Sequence, residues 1–330
     1  MLLCFAIGLL NLQAQDHSQM NNGSFLLVAN QGERALSVID PTAAKQVALV
    51  PEGGVTGHEV AASPDGSTAY VPMYGNSGVG RPGTDGSTIV VIDIAGRKVT
   101  GHVDFGHGAR PHCIIYDRNS GMLYVTTELD HSVSIVDPRT LKVIGSVPTS
   151  QPESHMLAIS RDGRHGYTAN VGPGTVSVLD MKARKTITVI PVAPTVQRIS
   201  VSNDDSMVFT SDQTKPQLAV IETKTNKIKT WVPLPSEGYG TASTRDGRWL
   251  LVALPSSNKV AVVDLAALKV ARTIDVPAAP QEILMRPDGR VAYVSCNQSR
   301  KIAAINLTEW KVESLIDAAA GADGLAWAGH

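Results

Sequence analysis

The sequence has few of the features that would staple, charge or span. Three cysteines occur in 330 residues, Cys4, Cys113 and Cys296, too few for a disulfide framework, so packing must hold the fold together. Phenylalanine occurs four times, and no apolar pattern repeats at the helical spacing over any length, which excludes a helical bundle. Lys and Arg together number 29 against 30 Asp and Glu, with no basic block. That balance gives no electrostatic footprint for nucleic acid or an anionic membrane. Phosphate-loop, nucleophile-elbow, C-x-x-C and heme-attachment motifs are missing too, which removes the enzyme classes that depend on them.

Long apolar runs are confined to the N-terminus, where Met1 to Leu12 is followed by Gln13, Ala14 and Gln15. This run is short of the ~20 residues of a spanning helix and ends in small and polar residues. Residues 1–15 are therefore expected to be a cleaved secretory signal, with a membrane-tethered tail as the alternative. Residues 16–24 are expected to be a flexible leader, and 25–330 one domain of a monomer in the periplasm or secreted, without a transmembrane helix in the mature chain.

Glycine, at 29, and proline, at 19, are plentiful and punctuate short runs of β-branched residues, the pattern of many short strands. The stretch Ser154 to Asp180 shows the unit: an apolar run from His155, a turn at Asp162-Gly163, a second strand from Gly166 to Asn170, and a third from Thr175 to Leu179. Thr186 to Ile190 supplies a fourth. Aligned on this turn, first strands are predicted at 59–63, 113–116, 156–160, 198–202, 240–244, 282–286 and 324–328. The residues just before them are His58, His112, His155, Gln197, Tyr239, Gln281 and Asp323, at spacings of 54, 43, 42, 42, 42 and 42. A period this regular marks radial blades. The chain is thus expected to be an all-β, seven-bladed β-propeller of four-stranded antiparallel blades. Residues 25–50 supply strands two to four of one blade and 324–328 only a first strand, so closure is predicted by pairing the C-terminal strand with the N-terminal strands, which removes exposed edges. Cys113 and Cys296 fall in distant units and are not expected to pair.

The second strands Ala69-Tyr-Val-Pro, Leu123-Tyr-Val-Thr, Gly166-Tyr-Thr-Ala and Ala292-Tyr-Val-Ser, with the third strands ending at Asp93, Asp137, Asp180 and Asp264, resemble the YVTN-type β-propeller repeat family. That resemblance implies the fold and leaves function open, since such repeats serve surface-layer proteins, enzymes and other exported proteins.

Aligned positions form a ring around the propeller channel. Three consecutive members are histidines, and three neutral imidazoles beside Gln197 suit Zn, Mn or Fe. The expected site is thus His58, His112, His155 and Gln197 at the channel mouth, holding either a divalent metal or a small molecule without one. His107 is a candidate fourth nitrogen and Arg110 a candidate anion clamp, while Glu128 and Asp130 sit in a loop able to reach the same face. The only long insertion, 75–87, falls between strands two and three of its blade and shares that face.

Two enzyme resemblances bear on the ring. Pro111-His112 and Ser154-His155 are similar to segments of the 6-phosphogluconolactonase-like lactonases, which implies catalytic roles for His112, His155, Arg198 and Glu282. The set His58, His112, His155 and Gln197 is similar to the metal ligands of oligogalacturonate lyases. Two functions are carried forward. One is a hydrolase or lyase, metal-assisted or not, acting on a lactone or acidic sugar; the other is a non-catalytic propeller binding a cell-envelope component.

Overall fold

The computed structural model describes residues 23–329, so the expected signal segment and most of the leader lie outside the described residues. Seven four-stranded antiparallel sheets form the blades of one propeller. Strand Ala322–Ala328 pairs with Phe25–Asn30, which continues to Ala35–Asp40 and Lys45–Pro51. The C-terminus therefore supplies the innermost strand of the N-terminal blade, as the strand count predicted, and no sheet edge is left at the seam. Among the described residues there is no α-helix, and none is long and apolar enough to cross a membrane.

The second and third strands of each blade, such as His165–Asn170 and Thr175–Asp180, are buried on both faces because every blade is packed between two others. Their near-continuous apolar and Thr/Ser composition follows from that. The outermost strands, such as Lys185–Pro191, alternate between exposed and half-buried positions, with one buried apolar residue before the last. Apolar layers lie between neighbouring blades, one running from Tyr124 through Leu179 to Val208.

Turns explain the period. In the Asp-Gly turns the glycines Gly66, Gly163, Gly247 and Gly289 have φ of 71°, 70°, 69° and 72°, the left-handed region where a Cβ is strained. The adjacent aspartate caps the hairpin: Asp162 Oδ1 accepts from the Arg164 N–H at 3.0 Å and from Ser160 Oγ at 2.7 Å.

First strands depart most from expectation. Three of them shrink to Ala61–Ala62, Ser200–Val201 and Thr241–Ser243, whereas Pro111–Asp117 and Ser154–Ile159 begin before the ring residue. These strands line the channel, where side chains and loops replace ladder partners. The insertion also differs from a plain loop. Its flanks extend the hairpin as Thr68–Gly75 and Asp85–Asp93, and residues 76–84 form the tip.

Candidate functional site

First strands start on one face of the propeller, so the ring residues stand at the channel mouth with the insertion above them. Together they enclose a cavity of about 320 Å3 lined by His58, His112, His155 and Gln197, with Ser77 and Val79 of the insertion as a roof. Tyr74, at the base of the insertion, enters the centre of the histidine cluster. Its ring meets His58, His112 and His155 edge-on, with centroids 5.3, 5.2 and 5.8 Å away.

A buried network holds the roof down. The Tyr74 hydroxyl donates to Glu128 Oε2, and Glu128 Oε1 accepts from the Gly80 N–H at 3.1 Å. Arg110 donates to Asp85 at 2.6 Å, to Glu128 at 3.2 Å and to the Arg81 carbonyl at 2.7 Å. The expected anion clamp is therefore corrected: Arg110 has spent its donors on the roof. His107 is corrected too, since it lies at the surface, paired with Asp130 at 2.7 Å.

Burial pushes the imidazoles of His112 and His155 well below the usual range, and neighbouring cationic groups push the same way. His58 is lowered as well, chiefly by burial, with Asp323 partly opposing the shift. All three rings are thus neutral near pH 7. His58 Nδ1 faces the Gln31 amide nitrogen at 2.7 Å, and His155 Nε2 faces the Gln197 amide at 3.3 Å. Among the described residues, Nδ1 of His112 and of His155 are buried without a hydrogen-bond partner.

Two of the expected metal ligands, His112 and His155, do not take ligating geometry. The His112 and His155 rings stack, with centroids 3.6 Å apart and planes at 34°, whereas two imidazoles bound to one ion at about 2.1 Å hold their centroids about 5 Å apart. Among the described residues no group of three or more His, Cys, Asp or Glu side chains has metal-holding geometry. The spacing brought the histidines together, but inter-blade packing turned the faces of His112 and His155, and not their lone pairs, toward each other.

A charged layer lies one residue deeper. Arg198 donates to Asp323 at 2.7 Å and stands in ion-pair contact with Glu59 at 2.7 Å and Glu282 at 3.7 Å. Burial raises Glu59 well above the usual carboxyl range and raises Glu282, while the Arg198 guanidinium beside them pulls both the other way. The carboxylates in turn hold Arg198 charged. Gly324 makes room for this layer, because a Cβ there would stand 2.7 Å from Glu59 Oε2 and 2.6 Å from the His58 carbonyl oxygen.

Arg198 lines the cavity; Glu282 belongs to the layer below and accepts from the Leu325 N–H at 3.0 Å. Sequence reasoning overlooked Tyr74, Gln31 and Glu59. Glu59 had a signal, since it occupies the same register as Arg198 and Glu282. Tyr74 had only its place beside the insertion.

Solved structures of similar shape are propellers. Kuenenia stuttgartiensis hydrazine synthase is 18 % identical, with a TM-score of 0.74 over 86 % of this chain and 93 % of that one. Dihydro-heme d1 dehydrogenase NirN, solved in complex with DHE, is 12 % identical, with a TM-score of 0.67 over 95 % and 77 %. A functionally unknown protein from Desulfotomaculum acetoxidans DSM 771 is 15 % identical, with a TM-score of 0.74 over 92 % and 99 %. At such identities the likeness shows the fold. No curated protein sequence matches the chain. The YVTN-like motifs sit on second and third strands as expected, yet the matching family model is a different one. That model, the cytochrome D1 heme domain, covers residues 117–325, and the chain belongs to that family.

Proposed function

We propose that this propeller binds a heme-type tetrapyrrole at its channel mouth, with His112 or His155 offering a ring nitrogen to the iron. The observation that carries the reading is a pair of buried, neutral imidazoles whose Nδ1 atoms have no partner beside a cavity. A buried polar atom without a partner is costly and marks a site awaiting one. The donor set fits an iron–imidazole bond, and family membership together with the heme d1 enzyme among the structural neighbours points the same way. When bound, such a group supplies redox chemistry that no side chain here can supply.

The protein's own residues do the rest. Because His112 stacks on His155, one of the two would hold the iron and the other would stay a neutral ring beside it. Gln31 and Gln197 orient His58 and His155. Residues 76–84 must lift for the macrocycle to seat, since the roofed cavity of about 320 Å3 is at the small end of ligand sites, about 300–1,000 Å3.

That volume favours a second reading, a small neutral molecule such as a lactone held beneath the closed roof, with His112, His155 and Arg198 against it and Glu282 behind Arg198. An acidic sugar is disfavoured, because Arg198, the guanidinium lining the cavity, already faces three carboxyl groups.

Titration with ferric heme, followed by the Soret band, separates the readings. The heme reading expects a saturable one-to-one shift that is lost in His112→Ala or in His155→Ala, with the circular dichroism of each variant unchanged. A flat titration, or a shift that survives in both variants, overturns it; lactone hydrolysis sensitive to the same substitutions would then establish the second.

A further inference from the structure

In a propeller every blade solves the same packing problem, so a residue that breaks the repeat in one blade is not there for the fold alone. The outer strand Lys269–Asp275 carries such a break at Arg272, which faces Val262 of the neighbouring strand. The same register position in the other six blades is Ala48, Gly101, Gly145, Thr188, Thr230 or Ser314. A small residue suffices there, and only this blade extends a long cation from it.

A second break lies on the adjacent blade. The turn between third and fourth strands ends in a residue with φ near 50–56°, and in six blades that residue is Ala44, Arg97, Leu141, Arg184, Asn226 or Leu268. In the seventh it is Trp310, with φ of 56°. The turn is made equally well by four other residue types, so its backbone does not require an indole.

The two breaks meet. Arg272 lies over the Trp310 ring at 5.2 Å and the Trp249 ring at 5.8 Å, Arg248 lies over the Trp249 ring at 4.7 Å, and the two indoles cross edge-to-face at 5.5 Å. They line a groove of about 570 Å3 between the blades, on the face away from the channel mouth, where the Asp-Gly turns lie. Both guanidiniums are exposed, and among the described residues neither has a carboxylate ion pair or a side-chain hydrogen bond. The acids of the groove are engaged: Asp246 accepts from Thr244 Oγ1 and the Arg248 N–H, and Asp288 from the Arg286 side chain and the Arg290 N–H. A guanidinium held over an indole by cation–π attraction keeps its N–H fork free to grip an oxyanion through two parallel bonds.

We infer that this groove is a second ligand site, one that takes a small molecule bearing a phosphate or carboxylate group. Arg248 and Arg272 grip the oxyanion, and Trp249 and Trp310 hold the guanidiniums and offer an apolar wall to the rest of the ligand. The site is independent of the heme reading, being built from other blades and the other face.

Tryptophan fluorescence of the full chain, titrated with inorganic phosphate and separately with glucuronate, tests it. The expected result is saturable quenching by at least one probe, and the tighter of the two names the oxyanion class. Arg272→Ser installs the residue of an equivalent position and keeps the fold; it should weaken binding about tenfold or more, the scale of one charge-assisted pair. His155→Ala, at the channel mouth, should leave that affinity unchanged. No saturable response to either probe, a response indifferent to Arg272→Ser, or a response abolished by His155→Ala overturns the assignment.

Discussion

Arg198 and Arg272 are both cations that interrupt a repeat, one at the channel and one in the groove on the opposite face, and their surroundings could hardly differ more. Arg198 is buried and answered by Glu59, Asp323 and Glu282, because a charge removed from water must be paired. Arg272 is exposed and, among the described residues, answered only by two aromatic faces. The channel has consumed its cation for structure, while the groove keeps its cations available. An arginine count from the sequence would have assigned anion binding to the channel, and burial reverses that assignment.

The most drastic way to break this contrast is to remove the frame that both regions share. Deleting residues 322–330 removes Asp323 and the strand that pairs with Phe25–Asn30; loss of the folded circular dichroism signal, or aggregation, is expected, and a truncated chain as stable as the parent would refute the closure. Next is Arg198→Met, which leaves buried carboxylates uncompensated and should cost about 3–5 kcal/mol in urea denaturation. Arg272→Ser, its control at the surface, should change stability by less than about 0.5 kcal/mol. Equal effects would erase the difference between the two regions.

Glu52 sharpens the same point, since it is a buried carboxyl with no cation beside it. Burial pushes it up to about 7, against the Gly57 N–H bond that lowers it, and among the described residues its Oε1 has no partner. The folded state therefore binds a proton that the unfolded state has released, so stability falls as pH rises from about 4.5 to about 7. Glu52→Gln should match the parent at pH 4 and exceed it by about 3 kcal/mol at pH 8, in denaturation curves run at both. A constant difference across that range would mean the carboxyl is ionised in the fold.

Much of this was legible in the chain itself. The 42-residue period placed seven blades, and the alignment picked out ring residues that do surround one cavity. What it could not supply was the direction of each side chain. His112 and His155 were read as converging lone pairs and are stacked faces; Arg110 was read as a clamp on a ligand and is a clamp on the roof. Position along a strand follows from the repeat, but rotamer and orientation follow from what the neighbouring blade leaves open.

The groove shows the same division. Arg272 and Trp310 stand out in sequence as misfits at their repeat positions, yet they lie 38 residues apart and on different blades, so no local reading joins them. Sequence alone determined the architecture, because strand periodicity, turn chemistry and blade period are local or regular and repeat until they are unmistakable. The tertiary structure alone decided which charges are paired, which imidazoles are neutral and which misfits meet. Those properties depend on desolvation and on contacts between blades, and neither is written at any single position.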